Sequence, residues 1–361
     1  MAQLVLAVGS SHGPTVQSPP EKWAKLGEGD KVDPRFDYEG FLKVAPPGLD
    51  QQITPDMQQK RHAAKTLALG KLTQIIKDAK CDVIIVVSNI HRVEKTGHHP
   101  IFGVMRAPSF PVAKMSERLF DPEARKHKFD EEKDNYHVRT ADSERPGHPA
   151  LATWLVNGLI EDGFDVATHD NFAQGATLDD AFAFVDKWLF DNVPIPIVPF
   201  IISRDLPNQA TAARCDDLGK ALRKRINEWP EQLRVGLIAS GGLSHQVVDE
   251  QLDRQVIKAL EDGDARTLRT LPRDRLNKAP GTPEILNWVT VSAAMAPSRM
   301  QLIDYQPCYR SLPAPATASA SVTGSRSARN KKARRIAAAG FFYRARLRSG
   351  QAHLRGRVFP E

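Results

Sequence analysis

Three apolar runs, each ending in small polar residues and a histidine, constrain this chain more than any other feature. Leu4–Val8 leads into Gly9-Ser10-Ser11-His12, and Val83–Val87 leads into Ser88-Asn89-Ile90-His91. Val235–Ala239 leads into Ser240-Gly241-Gly242-Leu243-Ser244-His245, with Asp249-Glu250 just beyond. Each run has the length of a buried strand, and a strand apolar at successive positions belongs in a sheet covered on both faces. In open α/β sheets, ligands gather at the carboxyl ends of strands. Two histidines and a carboxylate converging there predict a metal site.

The rest of the chain alternates in the same manner. Further strands are expected over 163–167 and over 195–202, the latter despite two prolines, with shorter ones at 100–106 and 300–305. Residues 55–79 carry a helical stripe at Ala63, Ala64, Leu67, Ala68, Ile75 and Ile76, and Pro55-Asp56 suits a first turn. Helices are expected from His148-Pro149 to about 161, and over 178–191, 209–227, 250–262 and 283–296. This alternation argues one large α/β domain, its sheet mostly parallel or mixed and flanked by helices, with the metal site at the carboxyl ends of strands. A chain of 361 residues, 41% hydrophobic, has enough apolar mass for such a domain or for two modest ones. Residues 13–54 read as a long loop with short helical pieces. Residues 116–147 are highly charged and read as an exposed excursion, a candidate lid.

The net charge of +7 does not describe the folded body. Residues 314–361 hold eleven Arg or Lys against a single acid, Glu361, so the remainder is slightly acidic. The run Pro313–Ser321 is low in complexity and Arg329–Arg335 is a basic cluster. The expected division is therefore a catalytic domain over 1–312 and a basic tail over 313–361, disordered or non-native. That tail reads as solvated rather than as a nucleic-acid site. No apolar run reaches the roughly 18 to 20 residues of a membrane span, and the start lacks signal-peptide features. Three widely spaced cysteines, Cys81, Cys215 and Cys308, form neither a disulfide framework nor a zinc finger, and point to a reducing cytoplasm.

His12 lies where Gly and Pro force a turn, so its ring can face a cleft. His91 takes the matching place after the second run. His98-His99 reads as surface or pocket rim. His245 could be a ligand, an acid–base group or a structural histidine. Glu250 heads a helix, where an acid is favoured by the dipole alone. Two His and one carboxylate form the facial triad of non-heme Fe(II) oxygenases. Zinc hydrolases use similar sets, so residue types alone leave the metal open.

Taken together, several segments resemble the class III extradiol ring-cleavage dioxygenases, the LigB-like family that includes the β subunit of protocatechuate 4,5-dioxygenase. They are Gly9-Ser10-Ser11-His12, the strand ending at His91, Pro207-Asn208-Gln209, Arg214-Cys215, Ser240–His245, Asp249–Asp253, Glu284–Trp288 and Asp304–Arg310. The resemblance implies Fe(II) held by His12, His91 and Glu250, with O2 as co-substrate. It implies a small catecholic substrate whose ring is opened beside the diol to a semialdehyde. It also implies a homo-oligomer or a small second subunit, and no membrane. The family's proton-moving histidines are replaced, by Asp180 in Leu178-Asp179-Asp180-Ala181 and by Ala213 before the Arg-Cys pair. Asp180 is then the expected base, since a carboxylate beside a cation stays ionised, and His245 the expected acid–base group near neutral pH. Two alternatives stand beside this reading: a catalytically impaired binding or scaffold protein, and a metal-dependent hydrolase on the same scaffold.

Overall fold

Val83, Ile84, Ile85, Val86 and Val87 are all fully buried, and the pleat sends them alternately into two different cores. The computed structural model describes residues 1–34, 37–91, 100–126, 140–170, 177–313 and 315–324. Eleven strands lie among these: β1 (Gln3–Ser10), β2 (Val83–Ser88), β3 (Phe102–Met105), β4 (Ser109–Val112), β5 (Ser143–Pro146), β6 (Val166–His169), β7 (Ile197–Ile202), β8 (Arg234–Ser240), β9 (His245–Val247), β10 (Gln301–Tyr309) and β11 (Pro315–Gly324). Nine of them form one sheet in the order β10-β11-β1-β8-β2-β7-β3-β6, with β9 also paired to β11, while β4 and β5 form a separate ribbon. The central β1, β8, β2 and β7 are mutually parallel. Their carboxyl ends therefore share one edge. The flanks mix directions, since β3 runs antiparallel to β7 and β11 antiparallel to both β1 and β10.

One face packs Val83, Ile85, Val87, Val198, Phe200, Val235 and Leu237 under the helices Pro149–Glu161, Ala212–Glu228, Glu250–Asp262 and Ile285–Met295. The other packs Ile84, Val86, Ile201 and Ile238 under Pro55–Ala79 and the Asp180–Phe184 helix, through Leu69, Leu72, Ile76, Phe182 and Phe184. Side-chain caps start most of these helices: Thr54 accepts from Met57 N, and Asp249 from Leu252 N. Ala212–Glu228 crosses Ile285–Met295 closely at Gly219, where a Cβ would lie 2.1 Å from the Thr290 carbonyl oxygen. All three cysteines are buried and free. No helix among the described residues is long and apolar enough to cross a membrane.

Two expectations need correction. The tail does not begin at 313, because Pro315–Gly324 is a strand paired on both sides in the main sheet. Ala316, Ala318 and Ala320 alternate there with Thr317, Ser319 and Ser321, a period-two pattern that low complexity concealed. The helix expected over 178–191 is shorter, running Asp180–Phe184 and then widening into a π turn over Val185–Leu189. His98-His99, much of the charged excursion and the basic cluster 329–335 lie outside the described residues.

Candidate metal centre

His12 follows β1, His91 follows β2 and Gly241–His245 follows β8, so the parallel strands bring all three histidines to one edge. The carboxylate that meets them is Glu284, at the end of a turn Thr282–Glu284 that opens the buried helix Ile285–Met295. His12 Nε2 is 3.3 Å from His91 Nε2 and 3.5 Å from Glu284 Oε2, and His91 Nε2 is 3.3 Å from Glu284 Oε1. One ligand atom from each of the three lies within 4.8 Å of the others. His245 Nε2 joins at 3.3 Å from Glu284 Oε1, and its Nδ1 lies 3.3 Å from the Leu243 carbonyl oxygen.

Glu250 is not brought to this cluster. It heads the helix Glu250–Asp262, accepts from the Tyr309 hydroxyl at 3.0 Å, and pairs with Arg254 at 3.2 Å, with 39% of its side chain exposed. It is the dipole-favoured acid that its position allowed, and Glu284 takes the place expected for it. Asp180 is likewise displaced by its neighbour. Asp179 caps the helix through Ala181 N and holds His91 twice, accepting from its backbone N–H at 2.9 Å and meeting Nδ1 at 2.7 Å.

The hydrogen bonds assign the protons. Asp179 can only accept, so His91 Nδ1 carries hydrogen and its Nε2 faces the cluster. Ser240 Oγ donates to the Ala181 carbonyl at 2.5 Å and is left to accept from His12 Nδ1 at 3.2 Å. The Nε2 of His12 is thus a bare lone pair. Burial drives the His12 imidazole down to about 3, and Glu284 only partly opposes this, so it stays neutral. For His91 burial also opposes charge, but Asp179 prevails and raises it to about 9. Burial opposes the charge of Glu284 too, yet the surrounding His245, His12 and His91 hold its carboxyl well below the usual range. Two imidazole nitrogens and a buried carboxylate crowd one point and call for one cation among them. Without a metal, a proton on His91 fills that role.

The surroundings fix these groups closely. Gly242 N donates to Glu284 Oε2 at 3.0 Å, and Arg204 Nη1 donates to Oε1 at 2.6 Å. Gly241 has φ +150°, and a Cβ there would lie 2.9 Å from Glu284 Oε2. This strand-end glycine leaves room for the carboxylate itself. Behind His245, the fully buried Asp253 accepts from Ser244 N at 2.7 Å, Ser244 Oγ at 2.8 Å and the Tyr305 hydroxyl at 2.7 Å. Burial pushes its carboxyl up to about 7 against those donors.

Residues 46–313 match the family described as the catalytic LigB subunit of aromatic ring-opening dioxygenase, and the chain belongs to that family. The matched span holds His91, His245 and Glu284, while His12 precedes it. Gallate dioxygenase of Pseudomonas putida is 36% identical over 111 residues, which are 29% of this chain and 31% of that enzyme. The chain therefore covers under a third of that relative's length.

Proposed function

We propose that this protein is a non-heme Fe(II)-dependent extradiol dioxygenase, opening a catecholic ring beside the diol with O2 to give a semialdehyde. The supporting observation is the convergence of His12, His91 and Glu284, with the outer nitrogen of each imidazole tied back by Asp179 or Ser240. Such second partners orient ligand histidines and raise their basicity. Two imidazoles and one carboxylate leave positions open on an octahedral ion, as ring opening requires for diol and O2 together. Bound there, Fe(II) would supply a template for both reactants and a path for electrons between them.

The remaining work falls to the chain's own groups. His245 reaches the cluster through Nε2; as the neutral imidazole with hydrogen on Nδ1 towards the Leu243 carbonyl, it offers the Nε2 lone pair that takes the diol proton as general base. That role is assigned to His245 rather than to Asp180, because the carboxylate beside His91 belongs to Asp179. Glu284 is fully buried and His12 nearly so, which keeps bulk water from the ligand atoms.

The test is anaerobic loading with Fe(II), then O2 uptake and near-ultraviolet absorbance with protocatechuate, gallate and simple catechols. Uptake of one O2 per ring with a yellow semialdehyde is expected. Fe(II) bound with no uptake on any diol would overturn the reading, as would turnover supported by Zn(II) without O2.

A further inference from the structure

Two glycines hold the ring of His245 between them. A Cβ added at Gly242 would lie 2.3 Å from His245 Nδ1, with the ring's Cε1 and Cγ at 3.0 and 3.1 Å. A Cβ added at Gly281 would lie 2.3 Å from Cδ2 and 2.4 Å from Nε2 of the same ring. The imidazole therefore fills the space that a side chain would take at either position, one on its Nδ1 side and the other on its Cδ2–Nε2 side. Neither glycine is needed for its backbone. Gly281 has φ −88° and ψ −22°, open to any residue, and Gly242 is not among the positive-φ residues, unlike Gly241 beside it. Glycine lowers stability through chain entropy, so what these two positions contribute is room for the ring.

The backbone of His245 is held as well. It pairs with Thr317 between β9 and β11, and its carbonyl accepts from Thr282 Oγ1 at 3.4 Å. Ser244 is tied to the buried Asp253 through both N and Oγ. The ring of His12 stands edge-on, 6.4 Å away between centroids. With backbone and ring both fixed, Nε2 is presented to the cluster 3.3 Å from Glu284 Oε1. A ring turned about its Cβ–Cγ bond would carry that nitrogen off, and a general base works only within hydrogen-bond reach of the proton it takes.

We propose that Gly242 and Gly281 are positioning residues for proton transfer: their missing side chains form a slot that locks His245 as a fixed base rather than one that swings. This rests on the ring-opening function proposed above, with His245 as its base.

The experiment is a double-mutant cycle on the Fe(II)-loaded full-length chain, read by O2 uptake with whichever of protocatechuate, gallate or catechol the wild type opens. Gly242→Ala is the clean perturbation. The three atoms nearest the added methyl all belong to the His245 ring, and the N–H donated to Glu284 is kept. It is expected to lower kcat by about 100-fold, the order for misplacing a reacting group by about 1 Å, with KM little changed and one Fe(II) still bound per chain. In a His245→Ala background there is no ring to displace, and the same substitution should cost less than about twofold, the scatter of independent changes. Gly281→Ala, whose methyl also meets the His245 carbonyl oxygen at 2.6 Å, should lose at least as much kcat as Gly242→Ala. An equal loss from Gly242→Ala in both backgrounds would show that it acts on the turn and not on the ring, and would overturn the proposal. Unchanged kcat or lost Fe(II) in the single variant would overturn it too. If Gly242→Ala does not fold, the wild-type ring decides. The order parameter of the His245 Cε1–H bond, from 13C relaxation in the metal-free chain, is expected near about 0.85, and a value below about 0.6 overturns the slot. Full kcat in His245→Ala overturns the base itself, and no ring opening on any diol overturns the function; either takes this inference with it, so the failures are distinct.

Discussion

Replacing Glu284 by Gln keeps its shape and removes the charge at the centre of the cluster. Two consequences follow, and they can be separated. Without metal, Arg204 loses the carboxylate that neutralises it, which costs about 3 kcal/mol, the low end for a broken buried pair because Arg204 retains some solvent. With metal, the loss is larger in kind. Removing a hydrogen-bond partner behind a ligand costs about 10- to 100-fold in metal affinity, and removing the anionic ligand itself should cost at least the upper figure. At free Fe(II) of 100 times the wild-type dissociation constant, binding adds about 2.7 kcal/mol to stability. After a 100-fold loss of affinity, the same Fe(II) adds only about 0.4 kcal/mol. Anaerobic urea unfolding with and without Fe(II) reads both quantities. Glu250→Gln is the matched comparison: a half-exposed carboxylate paired with Arg254, expected to cost under about 1 kcal/mol and to leave the metal increment whole. The ligand reasoning is refuted if Glu284→Gln keeps the full increment, or if Glu250→Gln loses it.

Two further outcomes separate the roles of the histidines. His245→Gln should lower kcat by about 10²- to 10⁴-fold, the usual range for a lost general base, while Fe(II) still binds one per chain by elemental analysis; loss of the metal would make His245 a ligand instead. Proton release on metal binding reports His91. Its imidazole is raised to about 9 in the metal-free protein, so at neutral pH the ion must displace that proton. Affinity should therefore rise with pH and level off above about 9, with close to one proton released per metal near neutrality and almost none on the plateau. Calorimetry in buffers of different ionisation enthalpy gives the count, and no release at neutral pH would contradict the place of Asp179 beside His91.

The sheet was legible because its strands are apolar at every position. Such runs have few alternatives: the Val235–Ala239 run lies within the strand Arg234–Ser240, and the expected 55–79 and 250–262 helices match the structure to the residue. The carboxyl-end rule then placed His12, His91 and His245 on one edge. β11 escaped because its sequence is a run of small residues, alanines alternating with Thr317, Ser319 and Ser321, and a strand paired on both sides by backbone hydrogen bonds needs no hydrophobic signature of its own. Its period-two alternation was present, but composition spoke louder than period. The 178–191 segment failed differently. Two adjacent aspartates both suit a helix start, and only cap geometry decides between them. Asp179 takes the cap, and with it the contact to His91.

The misplaced carboxylate is the more instructive case, since the sequence held a signal for Glu284. Ile285–Met295 is apolar on nearly every side, with Ile285, Leu286, Trp288, Val289, Val291, Ala294 and Met295 all buried. A helix hydrophobic all round must lie in the interior. An acid at its N-cap is carried inside with it, and a buried carboxylate must find cations or donors. Glu250 heads a helix of the opposite kind, amphipathic and charged along its outer face, where an acid can rest in solvent. Proximity in sequence to Ser240–His245 favoured Glu250, but burial is what brings a carboxylate beside the buried imidazoles, and the helix that follows each glutamate determines which one is buried.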